Sequence, residues 1–75
     1  MTYHVRMQFT PDGPAVEGTW ANPDTALGRY REWVGSHGSL PEVKIVLAEE
    51  PDDGRLHTLR TWTKEHGEEK TPEQS

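Results

Sequence analysis

Apolar and polar residues alternate most regularly at the start of the chain, between Thr2 and Thr10. One side of this segment carries Tyr3, Val5, Met7 and Phe9, and the other carries His4, Arg6 and Gln8. Strict alternation predicts a half-buried strand. Residues 11–14 (PDGP) are typical of a turn. Residues 15–20 (AVEGTW) alternate more weakly, so the pattern predicts a hairpin whose second strand is weakened, or bulged, at Gly18.

Residues 22–38 are the one segment with a helical pattern. Asn22 is a good N-cap, and Pro23 follows at the first helical position, where its missing N–H costs nothing. Apolar residues at spacings of three and four form a single stripe: Ala26, Leu27, Tyr30, Trp33 and Val34. Gly35 and Gly38 predict a left-handed helix end, and Pro41 prevents continuation.

Two further strands are predicted after the helix. Residues 42–49 (EVKIVLAE) are apolar on both sides, which indicates a central or covered strand. Residues 50–55 form a turn with Asp-Gly as its strongest signal. In residues 56–63 (LHTLRTWT), Leu59 faces one side, whereas Leu56 and Trp62 face the other. Therefore one apolar group must be exposed, or a bulge must change the phase of the strand.

The order strand-strand-helix-strand-strand predicts one two-layer α+β domain over residues 1–63. One apolar helix stripe needs one sheet face, so we expect a four-stranded sheet with the helix packed on one side. A right-handed crossover through the helix places the first and last strands side by side and parallel, in the order 2-1-4-3. This element order resembles the β-grasp, or ubiquitin-like, fold. The alternative is a fully antiparallel four-stranded sheet. Residues 64–75 contain no apolar residue and are expected to form a disordered polar tail.

Composition narrows the functional classes. With 75 residues and a hydrophobic fraction of 31%, the chain can build only a modest core. The absence of cysteine excludes disulfides and thiolate metal sites and fits a reducing cytoplasm. No apolar run approaches the ~20 residues of a membrane span, so we expect a cytoplasmic protein without a membrane partner. The net charge of −5 argues against duplex-DNA binding. Frequent alanine, arginine, glycine and proline suggest a GC-rich genome, actinobacterial or phage.

The sequence contains no recognisable catalytic, cofactor or metal motif. The histidines at 4, 37, 57 and 66 lack the close pair spacing of metal ligands. The acidic residues at 49–53 lead into the Asp-Gly of a turn and do not follow the spacing of a calcium loop. No serine lies in a nucleophile elbow, and no glycine-rich loop precedes the helix. We therefore expect a non-enzymatic protein without catalytic residues, cofactor or metal.

The predicted binding surface is the sheet face that the helix leaves open. If Leu59 points to the core, this face carries His4, Arg6, Gln8, Lys44, Arg60 and Trp62. Tryptophan and arginine are frequent at protein-binding hot spots, so we expect a protein partner or self-association, through this face or a sheet edge. The alternative is RNA or single-stranded nucleic acid, stacked on Trp62 beside Arg6, Arg60 and Lys44. If a bulge instead directs Trp62 into the core, the open face lacks the aromatic residue that both hypotheses use.

Overall fold

The computed structural model describes residues 1–70, which form one helix and a five-stranded antiparallel sheet. The strands are β1 (Thr2–Gln8), β2 (Ala15–Trp20), β3 (Lys44–Glu50), β4 (His57–Thr63) and β5 (Gly67–Lys70), and the helix is α1 (Pro23–His37). The strands lie in the order β2-β1-β3-β4-β5, and each neighbouring pair is antiparallel. The predicted two-layer α+β architecture, with one helix packed on the sheet, is therefore confirmed.

The strand order differs from the predicted β-grasp order 2-1-4-3. β1 pairs with β3 instead of β4, so that Val5 lies opposite Leu47 and Met7 opposite Ile45. These four side chains are buried. The more apolar strand β3 thus takes the central position, beneath the helix, where burial stabilises the fold most. The sheet is fully antiparallel, as in the alternative, but it has a fifth strand.

The fifth strand lies within the segment that was predicted to be disordered. β5 pairs with β4, with Thr63 opposite Gly67 and Trp62 opposite Glu68. Gly67 has a φ of 70°, which favours glycine, and closes the turn together with a hydrogen bond from the His66 backbone N–H to Thr63 Oγ1 at 3.2 Å. The tail prediction is wrong for residues 67–70, because backbone pairing to a neighbouring strand requires no apolar side chain. Its remainder, residues 71–75, lies outside the described residues.

The helix begins as predicted but ends differently. Asn22 Oδ1 accepts hydrogen bonds from two first-turn backbone N–H groups at 2.8 and 3.3 Å. The predicted left-handed exit does not form, because Gly35 lies within the helix and Gly38 has φ −64° and ψ −17°. Glycine at 38 serves a steric purpose instead. A Cβ there would lie 2.6 Å from Trp62 Nε1 and 2.4 Å from a helix carbonyl oxygen.

The core lies between α1 and the central strands of the sheet. Its buried residues are Val5, Met7, Ala26, Tyr30, Val43, Ile45 and Leu47. Partly buried hydrophobic side chains packed against them are Tyr3, Phe9, Trp20, Leu27, Trp33, Val34, Leu59 and Trp62. The helix packs mainly on β1, β3 and β2. The helix-side surface of β4 and β5 is therefore only partly covered.

A bulge in β4 resolves the ambiguous register of that strand. The pairing of β3 with β4 shifts between Leu47 and Ala48, which leaves Leu59 as an extra residue in β4. Because the extra residue changes the phase of the strand, Leu59 and Trp62 both pack against the core. Trp62 lies opposite Ile45 on the helix side of the sheet.

Candidate functional site

The open face is the side of the sheet opposite α1, and no element of residues 1–70 covers it. The register places on it Thr2, His4, Arg6 and Gln8 of β1, Ala15, Glu17 and Thr19 of β2, Lys44, Val46, Ala48 and Glu50 of β3, Thr58, Thr61 and Thr63 of β4, and Gly67 and Glu69 of β5. Four of the predicted site residues, namely His4, Arg6, Gln8 and Lys44, therefore share one surface. Lys44 and Arg6 lie towards one end of the face, and Glu50 lies at the other.

Trp62 does not lie on the open face, so its predicted place in the site is wrong. Its Nε1 donates a hydrogen bond to the Gly38 carbonyl oxygen at 3.0 Å, and the indole is half-buried. The bulge at Leu59 places Trp62 on the helix side of the sheet, where it contacts the end of α1 at Gly38. The stacking site for nucleic-acid bases therefore loses its aromatic residue.

Arg60 also lies on the helix side and not on the open face. It lies opposite Leu47, and its Nη1 is 3.3 Å from Glu68 Oε1 of β5. Its side chain is only partly exposed and is held in this ion pair. The predicted six-residue patch is thus reduced to four residues, because the same bulge changes the side on which Arg60 and Trp62 lie.

His4 lies between two carboxylates on the open face. Its Nε2 is 2.8 Å from Glu50 Oε1, and its Nδ1 is 3.4 Å from Glu17 Oε2. The His4 side chain is only 18% exposed, although it belongs to the uncovered surface. Glu17 Oε1 also lies 4.0 Å from Arg6 Nη1. The cluster links β2, β1 and β3 and places negative charge beside both basic groups.

Sequence reasoning missed the two carboxylates of this cluster, although one signal was present. In the β1–β2 hairpin, Arg6 lies directly opposite Glu17. Opposite charges at facing positions stabilise antiparallel pairs, and a hairpin closed by residues 11–14 predicts this pairing. No comparable signal indicates Glu50, because its approach to His4 depends on the long-range pairing of β1 with β3.

Gln8 and Lys44 also border a shallow depression at one end of the sheet. It has a volume of about 470 Å³ and is bounded by the β1–β2 turn, the segment before β3 and the end of β4. Gln8 Nε2 donates a hydrogen bond to the Pro11 carbonyl oxygen at 2.8 Å. Gln8 therefore connects β1 to the turn, while Lys44 is exposed.

A second concave region lies on the helix side, between α1 and the last two strands. This cavity of about 170 Å³ is lined by Tyr30, Arg31, Val34, Trp62 and Glu68. The Tyr30 hydroxyl is buried and has no hydrogen-bond partner of good geometry among the described residues. Burial, followed by the negative charge of the nearby Glu68 carboxylate, raises the pKa of Tyr30 to about 12. The helical stripe predicted Tyr30 as a core residue but did not indicate this environment.

Tyr30→Phe should change the response of stability to alkaline pH. An unfolded tyrosine ionises near pH 10, whereas Tyr30 in the folded chain ionises near pH 12. Between these values the folded state holds a proton that the unfolded state has released, so stability falls as pH rises. Urea unfolding of both chains at neutral pH and above pH 10 checks this. The variant should lose less stability on alkalinisation than the wild type, and equal losses would contradict the assigned environment.

The described residues offer no metal site. Among residues 1–70, no group of three or more histidine, aspartate and glutamate side chains is arranged to hold a metal ion.

Two further observations concern the chain as a whole. Within the part of the chain that the structure describes, no helix has the length and apolar character needed to cross a bilayer. Comparison with protein-family models, curated protein sequences and solved structures finds no match to this chain.

Proposed function

We propose that this protein is a non-enzymatic interaction module whose open face binds a protein partner. The observation that supports the proposal is a sheet face that no described element covers and that combines apolar, hydroxyl and charged groups. Val46 and Thr61 lie opposite each other there and are both half-buried, and Ala48 is only 8% exposed. A surface that mixes these groups resembles an ordinary protein–protein interface in composition.

The size of the open face suits a weak or transient complex. Five strands spaced about 4.8 Å apart, with about seven residues rising about 3.4 Å each, give a surface of roughly 20 by 24 Å. Stable complexes bury about 800 Å² on each partner. The face alone provides less than this, so adjoining turns would have to contribute to a tight complex.

Charge on the open face supports an oriented partner. Lys44 is exposed at one end with Arg6 near it, although Glu17 partly offsets the charge of Arg6, and Glu50 lies at the other end. A partner with the opposite arrangement of charges would be oriented by it, because electrostatic complementarity determines register and association rate more than affinity.

The nucleic-acid alternative has less support. The face retains Arg6 and Lys44, but Trp62 and Arg60 lie on the helix side. Glu17 lies 4.0 Å from the Arg6 guanidinium, where its charge would oppose a phosphate. The net charge of −5 acts in the same direction.

Replacing both Arg6 and Lys44 by alanine should abolish capture of a partner while leaving the fold intact. Both side chains are exposed, so each change should cost within about 0.5 kcal/mol of stability. The immobilised wild type and variant are incubated with lysate, with and without nuclease. We expect a protein that is retained by the wild type in both conditions and released by the double variant.

The matched control replaces Arg31 of α1 and Arg55, which precedes β4, by alanine. Both side chains are also exposed, so this double variant makes the same change in net charge away from the open face. It should retain the partner. Equal binding by both double variants would refute the open face as the site. Binding that disappears with nuclease would favour the nucleic-acid alternative instead.

A further inference from the structure

We propose that two copies of this chain associate through the outer edge of β2, so that their sheets join into one. The two edges of the described sheet differ. β5 has four residues, of which two are glutamates and one is lysine, and short charged strands resist edge pairing. β2 has six residues, contains no proline or lysine and carries one charge, Glu17. Its outer backbone groups have no strand partner among residues 1–70.

The one charge of β2 is directed away from its free edge. The Glu17 carboxylate lies 3.4 Å from His4 Nδ1 and 4.0 Å from Arg6 Nη1, both on β1. It is therefore held towards the interior of the sheet. A charged side chain on an edge strand usually hinders pairing with an incoming strand. This protection is weak at β2 because its one charge lies towards β1.

Symmetry restricts how two β2 strands can pair. A two-fold axis through an antiparallel pair is perpendicular to the sheet, so facing residues must point to the same side. The centre of the pairing is then a single residue, either Glu17 or Gly18. Centring on Glu17 places two carboxylates opposite each other, which is destabilising. Centring on Gly18 places each Glu17 opposite Thr19 of the second copy.

The Gly18-centred register also covers exposed apolar surface. Val16 is 45% exposed on the helix side of β2. The Trp20 indole lies over Gly18, where a Cβ would be 2.2 Å from the ring. In this register Val16 lies opposite Trp20 of the second copy, and pairs of an aromatic with a β-branched residue stabilise antiparallel strands. Gly18 thus leaves room for the indole at the centre of the interface, and the strand contains no bulge.

Charge substitutions at Thr19 test this register. Thr19 is exposed. Because the dimer is two-fold symmetric, it contains two pairs in which Thr19 of one copy faces Glu17 of the other. Sedimentation is measured over protein concentrations up to roughly 1 mM. The wild type should show a monomer–dimer equilibrium. Thr19→Lys should tighten the dimer and Thr19→Glu should weaken it, each by about threefold in the dissociation constant, because the Glu17 carboxylates lie towards β1 and only partly face Thr19.

Thr58, exposed on the open face of β4 and remote from β2, provides the matched control. Thr58→Glu and Thr58→Lys should leave the dimer unchanged, and thermal unfolding at low concentration verifies that all four variants fold. The proposal would be overturned if both the wild type and the Thr19→Lys variant remained monomeric at the highest concentration. Equal effects at Thr58 would assign association to the open face, and equal effects of both charges at Thr19 would exclude the Gly18-centred register. Partner capture by the open face does not depend on these results.

Discussion

Trp62→Ala should lower the free energy of unfolding by about 3 kcal/mol, the lower end of the range for removing a packed tryptophan. The indole packs against the core and donates a hydrogen bond to the Gly38 carbonyl oxygen. Its loss would leave a cavity below the end of α1 and an unsatisfied acceptor. Urea unfolding followed by circular dichroism measures the change. In a small domain with a modest core, this is a large fraction of the total stability.

Two further variants separate the contributions of Trp62. Trp62→Phe keeps most of the packing but removes the donor, so it should cost about 1 kcal/mol. Gly38→Ala should also destabilise, although alanine normally stabilises helical residues, because its Cβ would lie 2.6 Å from Trp62 Nε1. Arg6→Ala on the open face is the surface control and should fall within about 0.5 kcal/mol. Similar effects of Trp62→Ala and Arg6→Ala would mean that Trp62 is a surface residue after all.

The elements with a regular pattern could be predicted from the sequence, because local chemistry determines them. The alternation of residues 2–10 predicts β1, which begins as expected at Thr2 and ends two residues earlier at Gln8, and the Asn22 cap begins α1 at Pro23. The β1–β2 hairpin follows from a turn whose residues have few alternatives. In each case the residues that specify the structure are neighbours along the chain.

The position of Trp62 could not be predicted in this way. Strict alternation separates it from Leu59, and only a bulge lets both contact the core. The bulge brings the indole to the end of α1, where a Cβ on Gly38 would lie 2.6 Å from Trp62 Nε1. This contact joins two residues separated by 24 positions, so no local pattern indicates it. The glycine was visible in the sequence, but its pattern suggested a left-handed helix end.

The candidate site was predictable as far as the first hairpin extends. His4, Arg6 and Gln8 share a side because residues alternate along β1, and Arg6 faces Glu17 because the hairpin turn determines the register. Lys44 joins them through pairing between β1 and β3. The loss of Arg60 from the site follows from the bulge.

β5 escaped prediction because its stabilisation comes from its neighbour and not from its own composition. Its residues, GEEK, have low strand propensity. Backbone hydrogen bonds to β4 and the ion pair from Arg60 Nη1 to Glu68 Oε1 at 3.3 Å join it to the sheet. A pattern of hydrophobic residues does not report either contribution.

Removing β5 should therefore destabilise the domain, whereas the composition of this segment predicts no effect. Two truncated chains are compared, one ending at Lys70 and one ending at His66, so that their difference isolates the strand. The shorter chain loses the pairing of β5 with β4 and the cover that Glu68 provides over Tyr30 and Trp62. The apolar surface of Tyr30 and Trp62 that becomes uncovered is the main cost, and at about 25 cal/mol per Å² the exposure of about 80 Å² corresponds to a loss of about 2 kcal/mol.

Differential scanning calorimetry should show this loss as a lower midpoint. For a domain of this size, 1 kcal/mol corresponds to roughly 4–8 °C, so the chain ending at His66 should melt about 10 °C below the chain ending at Lys70. Glu68→Ala in the longer chain removes the ion pair but keeps the strand. Partly exposed ion pairs contribute less than about 1 kcal/mol, so this variant should lie near the Lys70-terminated chain. If the two truncated chains melted together, β5 would add no stability, and the backbone pairing with β4 would be marginal.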